Sequence, residues 1–377
     1  MVRIMKRNRL GIIACLSAIV LLTAACKDSF DIDQLHEPSK LSVCCFPSAA
    51  GITWIEVTHT ISIHEGNSPS SDMIAQNAHI VYKVNGKERE VHRATDEQIH
   101  QTPSIGAARY YVEGSHQPGD HISIEVSEEG YQPVSTETTI PLPVPIEAES
   151  LKPVTVYSNY DSEFRTFDQL TASFTDPAET RDYYALRVCQ MHINGHAVGR
   201  ADPDYDTWGE LYYRTTYYPN SYVNMLEMAE KHPEAEWTIE LSDSAYVYKK
   251  VYNESEPLLN PLSEMDEDFG FDSNYYQYFY IFSDETINGQ TYTLHLNLDD
   301  IHSVDGHKFW KQYRIELYHI TPEMFRYLKS INDVDNNELA EGGFSILTPT
   351  FSNVRGGIGI VGGYALSASE WKPKNYY

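Results

Sequence analysis

The sequence is poor in cysteine, and this shortage excludes several kinds of site. Apart from Cys15 and Cys26 near the N-terminus, the 377 residues contain only Cys44, Cys45 and Cys189. An odd number excludes a full disulfide framework, and without a CxxC pair there is no support for a zinc ribbon or a thioredoxin-type site. Cys44 and Cys45 are adjacent in an apparent strand, so we expect their side chains on opposite faces. All three cysteines are expected to be small buried residues.

Basic residues are also scarce, with 28 Lys and Arg against 54 Asp and Glu and a formal charge of -26. This excess argues against nucleic acid as a partner, because phosphates are bound by Lys and Arg. It also disfavours direct adsorption on anionic lipid, and it is compatible with a bound cation or a basic partner. The mean hydropathy of -0.43 with 41% hydrophobic residues is typical of a globular chain.

Long apolar runs are missing after the first 25 residues, so no later segment is expected to span a membrane. The run that exists, Leu10–Ala25, has 16 residues, against about 20 for a membrane-spanning helix. It follows a basic start and precedes Cys26, which predicts a bacterial lipoprotein signal. Residues 1–25 would be removed and Cys26 would carry lipid, since two or more acyl chains give stable attachment. In the alternative, cleavage follows Ala24-Ala25, and Cys26 is incidental.

The residues after Cys26 carry a second possible signal. Removing residues 1–25 takes away four basic residues and no acidic ones, which changes the formal charge from -26 to -30. Lys27-Asp28 and Asp31 resemble the acidic export signal of surface lipoproteins of Bacteroidota. A solvated tether over residues 26–40 is the other interpretation of the same charges.

The mature chain is predicted to be mainly β, with two domains. Alternating apolar residues at Ile55–Ile63 and Ile122–Val126, and an Asn85-Gly86 turn, predict short strands and a hairpin. We expect residues 41–140 to form an immunoglobulin-like or transthyretin-like β-sandwich. Prolines at 141, 143 and 145 favour a stiff linker over residues 141–146. Residues 147–377 form the second domain.

The second domain is rich in tyrosine, since all but four of the 28 tyrosines follow residue 146. Asn194-Gly195 and Asn288-Gly289 predict turns between its strands. Helices are predicted at Ser221–Lys231 and from Thr321, where a capping hydroxyl precedes Pro322. Strands are predicted at Tyr183–Met191, Trp237–Leu241, Tyr275–Phe282, Tyr292–Leu298 and Tyr313–His319.

Closely spaced tyrosines would place rings on both faces of a strand, as at Tyr212-Tyr213, Tyr217-Tyr218 and Tyr275–Tyr278. One face would then present aromatic surface with hydroxyl tips, which suits sugars, peptides or a protein partner. Most of these tyrosines are expected to cover sheet surfaces without a binding role. At least one aromatic patch is expected to bind a ligand.

A glycine-rich segment, Gly357–Gly362, matches the dinucleotide fingerprint GxGxxG in its letters. The fingerprint needs a following helix and an acidic residue about 20 positions on. The chain has neither, so we expect these glycines to form a tight turn, a bulge or a close strand contact.

Two acidic segments have the composition of calcium loops. One carries Asp202, Asp204 and Asp206, and the other runs from Glu264 to Asp272 and includes Asp266 and Asp268. Alternating carboxylates can converge on Ca²⁺, although the first segment lacks the glycine and glutamate of an EF-hand. Solvated loops are the alternative for both segments.

Histidine patterns give little support to another metal site or to an active site. His192 and His196 have helical ligand spacing, but the turn predicted between them separates their faces. Asp300, His302, Asp305 and His307 form the densest mixed group in the sequence, without a third converging element. His64-Glu65 lacks the second histidine of a zincin, and there is no GxSxG motif. We therefore expect no enzyme activity, no cofactor and no catalytic residue.

Three segments near the C-terminus resemble one known family: Asp284–Leu298 (DETINGQTYTLHLNL), Tyr313–Asn332 (YRIELYHITPEMFRYLKSIN) and Phe351–Tyr364 (FSNVRGGIGIVGGY). Together with Asp176-Pro177 and Asp182-Tyr183-Tyr184, they are similar to a Bacteroidota lipoprotein family catalogued as domain of unknown function 4249. Family members are often encoded beside TonB-dependent outer-membrane transporters, which implies an accessory binding role in nutrient uptake. The resemblance implies no catalytic or ligand-binding residue.

The sequence thus predicts a protein attached to outer-membrane lipid through Cys26, and exposed at the cell surface if Lys27-Asp28 and Asp31 act as an export signal. Its expected partners are a TonB-dependent transporter and a small-molecule, glycan or peptide ligand. A surface structural or adhesion module without a transport role is the alternative.

Overall fold

A computed structural model describes most of the chain. It describes residues 38–61, 73–101, 107–158, 162–205, 211–219, 237–252, 256–259, 277, 279–298, 311–335 and 350–373. For residues 101, 158, 192–205, 211–219, 237–245, 311 and 373 it describes the backbone alone.

The chain divides into two compact units. Residues 40–59 and 74–377 form the larger unit, which contains the elements below. The smaller unit consists of residues 1–39 and 60–73, in which the Ser39 hydroxyl donates to the carbonyl oxygen of Thr60.

The described strands and helices confirm a mainly β fold. The strands are β1 (Leu41–Cys45), β2 (Ile52–His59), β3 (His79–Val84), β4 (Lys87–Arg89), β5 (Val91–Arg93), β6 (Tyr110–Glu113), β7 (His121–Ser127), β8 (Val134–Thr139), β9 (Ile146–Ser158), β10 (Glu163–Thr175), β11 (Tyr183–Tyr205), β12 (Leu211–Pro219), β13 (Trp237–Lys249), β14 (Val251–Tyr252), β15 (Tyr280–Ser283), β16 (Thr291–Leu298), β17 (Lys311–Ile320), β18 (Ile358–Val361), β19 (Tyr364–Ala368) and β20 (Lys372–Pro373). The helices are α1 (Asp96–Gln101), α2 (Pro322–Asp335) and a 3-10 turn at Asp284–Thr286. In the parts of the chain just described, no helix is both long and apolar enough to cross a bilayer.

Two sheets share the first apolar core. One has the order β18-β1-β2-β6-β5 and the other the order β4-β3-β7-β8. Alternate residues point inward, as predicted, so that Val57 on β2 and Ile124 on β7 belong to the same buried cluster. The Asn85-Gly86 hairpin is also confirmed, since both residues have positive φ and join β3 to β4.

A second pair of sheets shares the second core. A four-stranded sheet, β14-β16-β10-β9, faces a sheet built around β11 and β17, with β12, β13, β15, β19 and β20 at its sides. Leu170 and Leu296 from the first of these sheets pack in one buried cluster with Leu186 and Leu317 from the other. Because these leucines must be buried, they fix which face of β11 points into the core and which face points away from it.

The turn predicted at Asn194-Gly195 is wrong, because β11 continues through both residues. The pairing of β11 with β13 shifts register between them. Asn-Gly favours irregular backbone, which is found both in hairpin turns and at register shifts within a strand. Here the register shift within β11 accommodates it. His192 and His196 consequently lie on one strand, which removes the helical ligand spacing.

The glycine-rich segment makes a close strand contact, as predicted. β18 pairs in parallel with β1, opposite residues 42–45, and Val361 lies in the first core. Gly359 has φ +115°, and a Cβ there would lie 2.0 Å from the carbonyl oxygen of Val43. Residues assigned from sequence to the second domain thus complete a sheet of the first. The linker over residues 141–146 stays a prediction.

Helix α2 begins where the sequence predicted. The Thr321 hydroxyl accepts a hydrogen bond from the backbone N–H of Met324 at 3.4 Å, and Pro322 is the first helical residue. Met324 and Leu328 pack on Tyr318 and Ile320. The helix therefore covers one end of the outer face of the β11–β17 sheet.

The three described cysteines are free thiols. Cys45 and Cys189 are buried and Cys44 is partly buried, which confirms the opposite faces of the first pair. Burial raises the pKa of Cys44 to about 12, and the nearby charge of Glu56 acts in the same direction. The thiol is therefore unreactive at neutral pH.

Candidate functional site

Strand pairing places two rows of side chains on the outer face of the sheet around β11. Met191 pairs with Tyr246 on β13, and Cys189 pairs with Tyr248 on the same strand and with Arg314 on β17. Residues two apart on a strand share a face, so all five lie on the face opposite the second core.

Three aromatic residues on this face form what we call the aromatic platform: Tyr246, Tyr248 and Trp371. Tyr246 is 58% exposed and Tyr248 is 47% exposed. The rings of Tyr246 and Trp371 have centroids 6.0 Å apart and are tilted by 37°. The Arg314 guanidinium lies 4.7 Å from the Trp371 ring centroid, a cation–π contact that fixes the indole.

A buried carboxylate organises the platform from beneath. Glu316 is 3% exposed and accepts hydrogen bonds from Arg314 Nε at 3.2 Å and Nη2 at 2.6 Å. Its other oxygen accepts from the hydroxyls of Tyr318 at 2.8 Å and Tyr248 at 3.3 Å. The paired bonds from one guanidinium give both geometric definition and charge neutralisation.

A second guanidinium packs between rings of the same face. The Arg187 Cζ atom lies 3.6 Å from the Tyr248 ring centroid and 4.2 Å from that of Phe279. Arg187 is 7% exposed. One face of Tyr248 is therefore covered from within, which holds the ring in a single position.

The electrostatics of this network favour fixed protonation states. Burial raises the pKa of Tyr248, and the charge of Glu316 raises it further. Burial alone would lower the pKa of Arg314, but the hydrogen bond and charge of Glu316 outweigh it and raise that pKa. Arg314 thus stays charged and Tyr248 stays a neutral hydrogen-bond donor near neutral pH. The face can bind by stacking and hydrogen bonding.

A second candidate site is a group of three buried aspartates, the carboxylate cluster: Asp176, Asp182 and Asp284. One carboxylate oxygen of each lies within 4.8 Å of the others, and all three side chains are buried. Asp176 follows β10, Asp182 precedes β11 and Asp284 follows β15. The cluster therefore lies where the connections between strands of the second core meet.

Protein groups donate to every member of the carboxylate cluster. Tyr184 donates to Asp176 at 2.5 Å and Thr180 donates to Asp182 at 2.6 Å. Backbone N–H groups add further bonds, from Gly289 to Asp176 at 2.9 Å and from Asp182 to Asp284 at 2.8 Å. These bonds tie the β10–β11 connection to the turn that follows β15.

His319 extends this network toward the proline-rich segment. Its Nε2 lies 3.0 Å from Asp182 Oδ1 and its Nδ1 lies 2.6 Å from the carbonyl oxygen of Leu142. The ring stacks on Tyr184, with centroids 5.2 Å apart. His319 thereby links the segment before β9 to β17 and the carboxylate cluster.

Burial raises the pKa of Asp176, and hydrogen bonds from Tyr184 and Gly289 only partly oppose this. The charges of Asp182 and Asp284 raise it further. Carboxylate oxygens are the ligands of hard cations. Among the residues that the structure describes, these three aspartates form the group whose spacing fits a cation. The hydrogen bonds from the protein also satisfy the cluster without a cation, as a structural junction.

We expect Asp284→Asn to stabilise the protein at pH 7 by about 1–3 kcal/mol, because it removes one of three nearby charges. The asparagine oxygen can still accept from the Asp182 N–H. A raised pKa at Asp176 contributes stability that is complete below the ordinary value of 3.8 and lost as pH rises through the raised value. The gain should therefore shrink as the pH falls toward 3.8. Urea unfolding at several pH values measures it.

Asp333→Asn is the matched control for this variant, since the Asp333 side chain on α2 is 40% exposed and pairs with Lys329 at 2.9 Å. It should change the free energy of unfolding by less than about 0.5 kcal/mol. A cation bound in solution would give the opposite result: Asp284→Asn would destabilise the protein, and a chelator would lower the melting temperature of the unmodified protein only.

Most site residues predicted from sequence lie outside the described residues. These are Cys26, His64-Glu65, Asp206, the segment Glu264–Asp272 with Asp266 and Asp268, and the group Asp300, His302, Asp305 and His307. Asp202 and Asp204 lie on β11, where the backbone alone is described. The possible calcium site in either segment therefore stays a prediction.

The structure brings together residues that sequence reasoning did not connect. Asp176, Asp182 and Asp284 each stand at the end of a strand, which is the available signal, but nothing in the sequence places three strand ends side by side. Arg314 and Glu316 alternate on β17, a pattern that indicates one shared face. The location of that face beside Trp371 depends on tertiary structure.

Comparisons with known proteins show a family and little else. No curated protein matches the chain. A solved structure titled "BspA_C_mut" is similar over 75% of this chain and 96% of its own, with 8% identity and a TM-score of 0.13, which carries no argument about fold. The family model described as "Domain of unknown function (DUF4249)" matches residues 27–369, and the chain therefore belongs to that family.

Proposed function

We propose that this chain is a lipoprotein of the outer membrane of a Bacteroidota bacterium, anchored through Cys26. We further propose that it serves as an accessory binding subunit of a TonB-dependent nutrient transporter. One observation carries the proposal: a basic start, the apolar run Leu10–Ala25 and Cys26 stand directly before residue 27, where the family match begins. Cleavage of the leader before Cys26 would produce a protein whose family domain starts directly after the modified residue.

The charge of the mature chain supports an anchor made of lipid. With a formal charge of -30 after removal of four basic residues, the protein would be repelled by anionic lipid headgroups. Stable attachment then needs inserted acyl chains, and two or more of them suffice. Cys26 is the residue where the pattern places them.

The aromatic platform supports the binding part of the proposal. It is an exposed aromatic surface, and beside it the Arg314 guanidinium pairs with the buried Glu316 carboxylate. Exposed aromatic rings held in place by buried partners are typical of binding surfaces. In this role the platform would hold a nutrient, while the anchor keeps the protein beside its transporter.

Mass spectrometry of the mature N-terminus, purified from native membranes, tests the anchor. We expect the chain to begin at Cys26, with a diacylglycerol thioether and an acylated amine, and Cys26→Ala to release the protein from the membrane. Cys44→Ala is the matched control and should leave the lipid in place. An N-terminus that is unmodified, or that lies at another residue, would overturn the proposal.

Affinity purification from detergent-solubilised membranes tests the partner. We expect a TonB-dependent transporter to co-purify with the unmodified protein. Growth of a deletion strain on limiting nutrients distinguishes the adhesive alternative. If the protein is an adhesion module, deletion of the gene should leave nutrient uptake unchanged and alter surface attachment.

A further inference from the structure

We infer that the aromatic platform binds a neutral saccharide, with pyranose rings lying against Tyr246 and Trp371. This inference deepens the proposed binding role and rests on it. It commits to a small uncharged ligand, and four features of the outer face carry it.

The size of the platform fits a small ligand. An aromatic side chain buries about 150–250 Å² when fully covered. Here Tyr246 is 58% exposed, Tyr248 is 47% exposed and Trp371 is only partly exposed. They present roughly 300 Å² in total, against about 800 Å² per partner in a stable protein–protein interface. A protein docked on this face would need a large further area beyond the three aromatic side chains.

The charge of the platform fits a neutral ligand. Glu316 pairs with Arg314 at 2.6 Å, and the Arg187 guanidinium packs on the rings of Tyr248 and Phe279. The guanidiniums are thus engaged from within, and the carboxylate is 3% exposed. Glu316 neutralises the charge of Arg314, which weakens the attraction of this face for a ligand anion, and the Glu316 carboxylate is too buried to bind a ligand cation.

The ring geometry fits a saccharide. The rings of Tyr246 and Trp371 are tilted by only 37°, with centroids 6.0 Å apart, so together they form a shallow surface. The face of an aromatic ring is electron-rich and attracts weakly positive C–H groups. A pyranose presents such C–H groups on one face and hydroxyls around its edge.

Hydrogen-bonding groups lie beside the rings, where the saccharide edge would be. Arg314 has five N–H donors. In the hydrogen bonds of the described residues, Glu316 accepts from Nε and from one N–H of Nη2. The Arg314 side chain is 31% exposed, so the remaining donors can reach a ligand hydroxyl. Gln312 pairs with Met191, which also pairs with Tyr246, and lies on the same face.

Calorimetric titration of the mature protein with neutral glucan, mannan, xylan and chitin hexasaccharides tests the inference. We expect one of these probes to bind and to change the tryptophan fluorescence as it covers Trp371. Trp371→Ala and Tyr246→Ala should each weaken binding at least about tenfold. Phe164→Ala is the matched control, because Phe164 is also exposed, at 74%, but lies on β10 in the other sheet. It should leave binding unchanged.

Three outcomes would overturn the inference: no binding of any of the four probes, equal binding by the Trp371→Ala and unmodified proteins, or binding of tyrosine-rich peptides or acidic saccharides in place of neutral ones. A far-ultraviolet spectrum and a melting curve for each variant separate lost binding from lost fold. Failure here with a transporter still co-purifying would leave the proposed accessory role standing. Saccharide binding by a protein that co-purifies with no transporter would support the inference and contradict the proposed accessory role.

Discussion

Gly359→Ala is expected to destabilise the protein by about 3–5 kcal/mol, or to prevent its folding. Gly359 has φ +115°, and its added Cβ would lie 2.0 Å from the carbonyl oxygen of Val43. The backbone strain and the clash cannot both be relieved while β18 stays paired with β1. Urea unfolding followed by circular dichroism measures the loss.

Gly51→Ala is the matched control for that prediction. A Cβ at Gly51 would meet nothing within 4 Å, and the residue is exposed before β2. We expect a change of less than about 0.5 kcal/mol. Equal stability of the two variants would contradict the parallel contact between β18 and β1, and with it the joining of the C-terminal segment to the first core.

Glu316→Ala is expected to cost about 3–4 kcal/mol of unfolding free energy. Glu316 is buried and accepts from Arg314, Tyr318 and Tyr248. The variant would leave the Tyr318 hydroxyl and the Arg314 charge without their acceptor. Because Glu316 raises the pKa of both tyrosines, their ionisation, followed by ultraviolet absorbance, should shift to lower pH.

Two further variants sharpen this prediction. Glu316→Gln keeps an acceptor oxygen without the charge and should lose about half as much stability. Glu137→Ala removes an exposed glutamate whose contact with Arg355 spans 3.5 Å, and it should change stability by less than about 0.5 kcal/mol. A Glu316→Ala protein as stable as Glu137→Ala would mean that the network beneath the platform does not organise it.

Much of the fold was determined by local sequence. The alternation at Ile122–Val126 fixed the buried face of β7, because side chains on a strand alternate. Asn85-Gly86 supplied the two positive φ angles of a hairpin, and Thr321-Pro322 supplied a cap and a first helical residue. Each of these features depends on a few neighbouring residues. The same reasoning failed at Asn194-Gly195, where the flanking strands continue and absorb the irregularity.

The candidate sites were decided by contacts between distant parts of the chain. Asp182 and Asp284 are 102 positions apart, and Gln190 and Tyr313, which also bond across strands, are 123 apart. No local sequence pattern specifies contacts between residues so far apart in the chain, because strand order in a sheet follows from how all the apolar faces are buried together. The platform depends likewise on β13, β17 and Trp371 meeting on one face of the sheet.

The sequence by itself determined the scarcity of cysteine and the acidic charge, and it predicted the mainly β composition. The anchor at Cys26 stays a prediction. These are properties of composition and of short segments, in which each residue acts through its own backbone and charge. Only the tertiary structure decided that β18 completes the first sheet, that three aspartates converge, and that Arg314 and Glu316 support exposed rings. Those arrangements arise because burying two apolar cores fixes which strands are neighbours and which side chains remain outside.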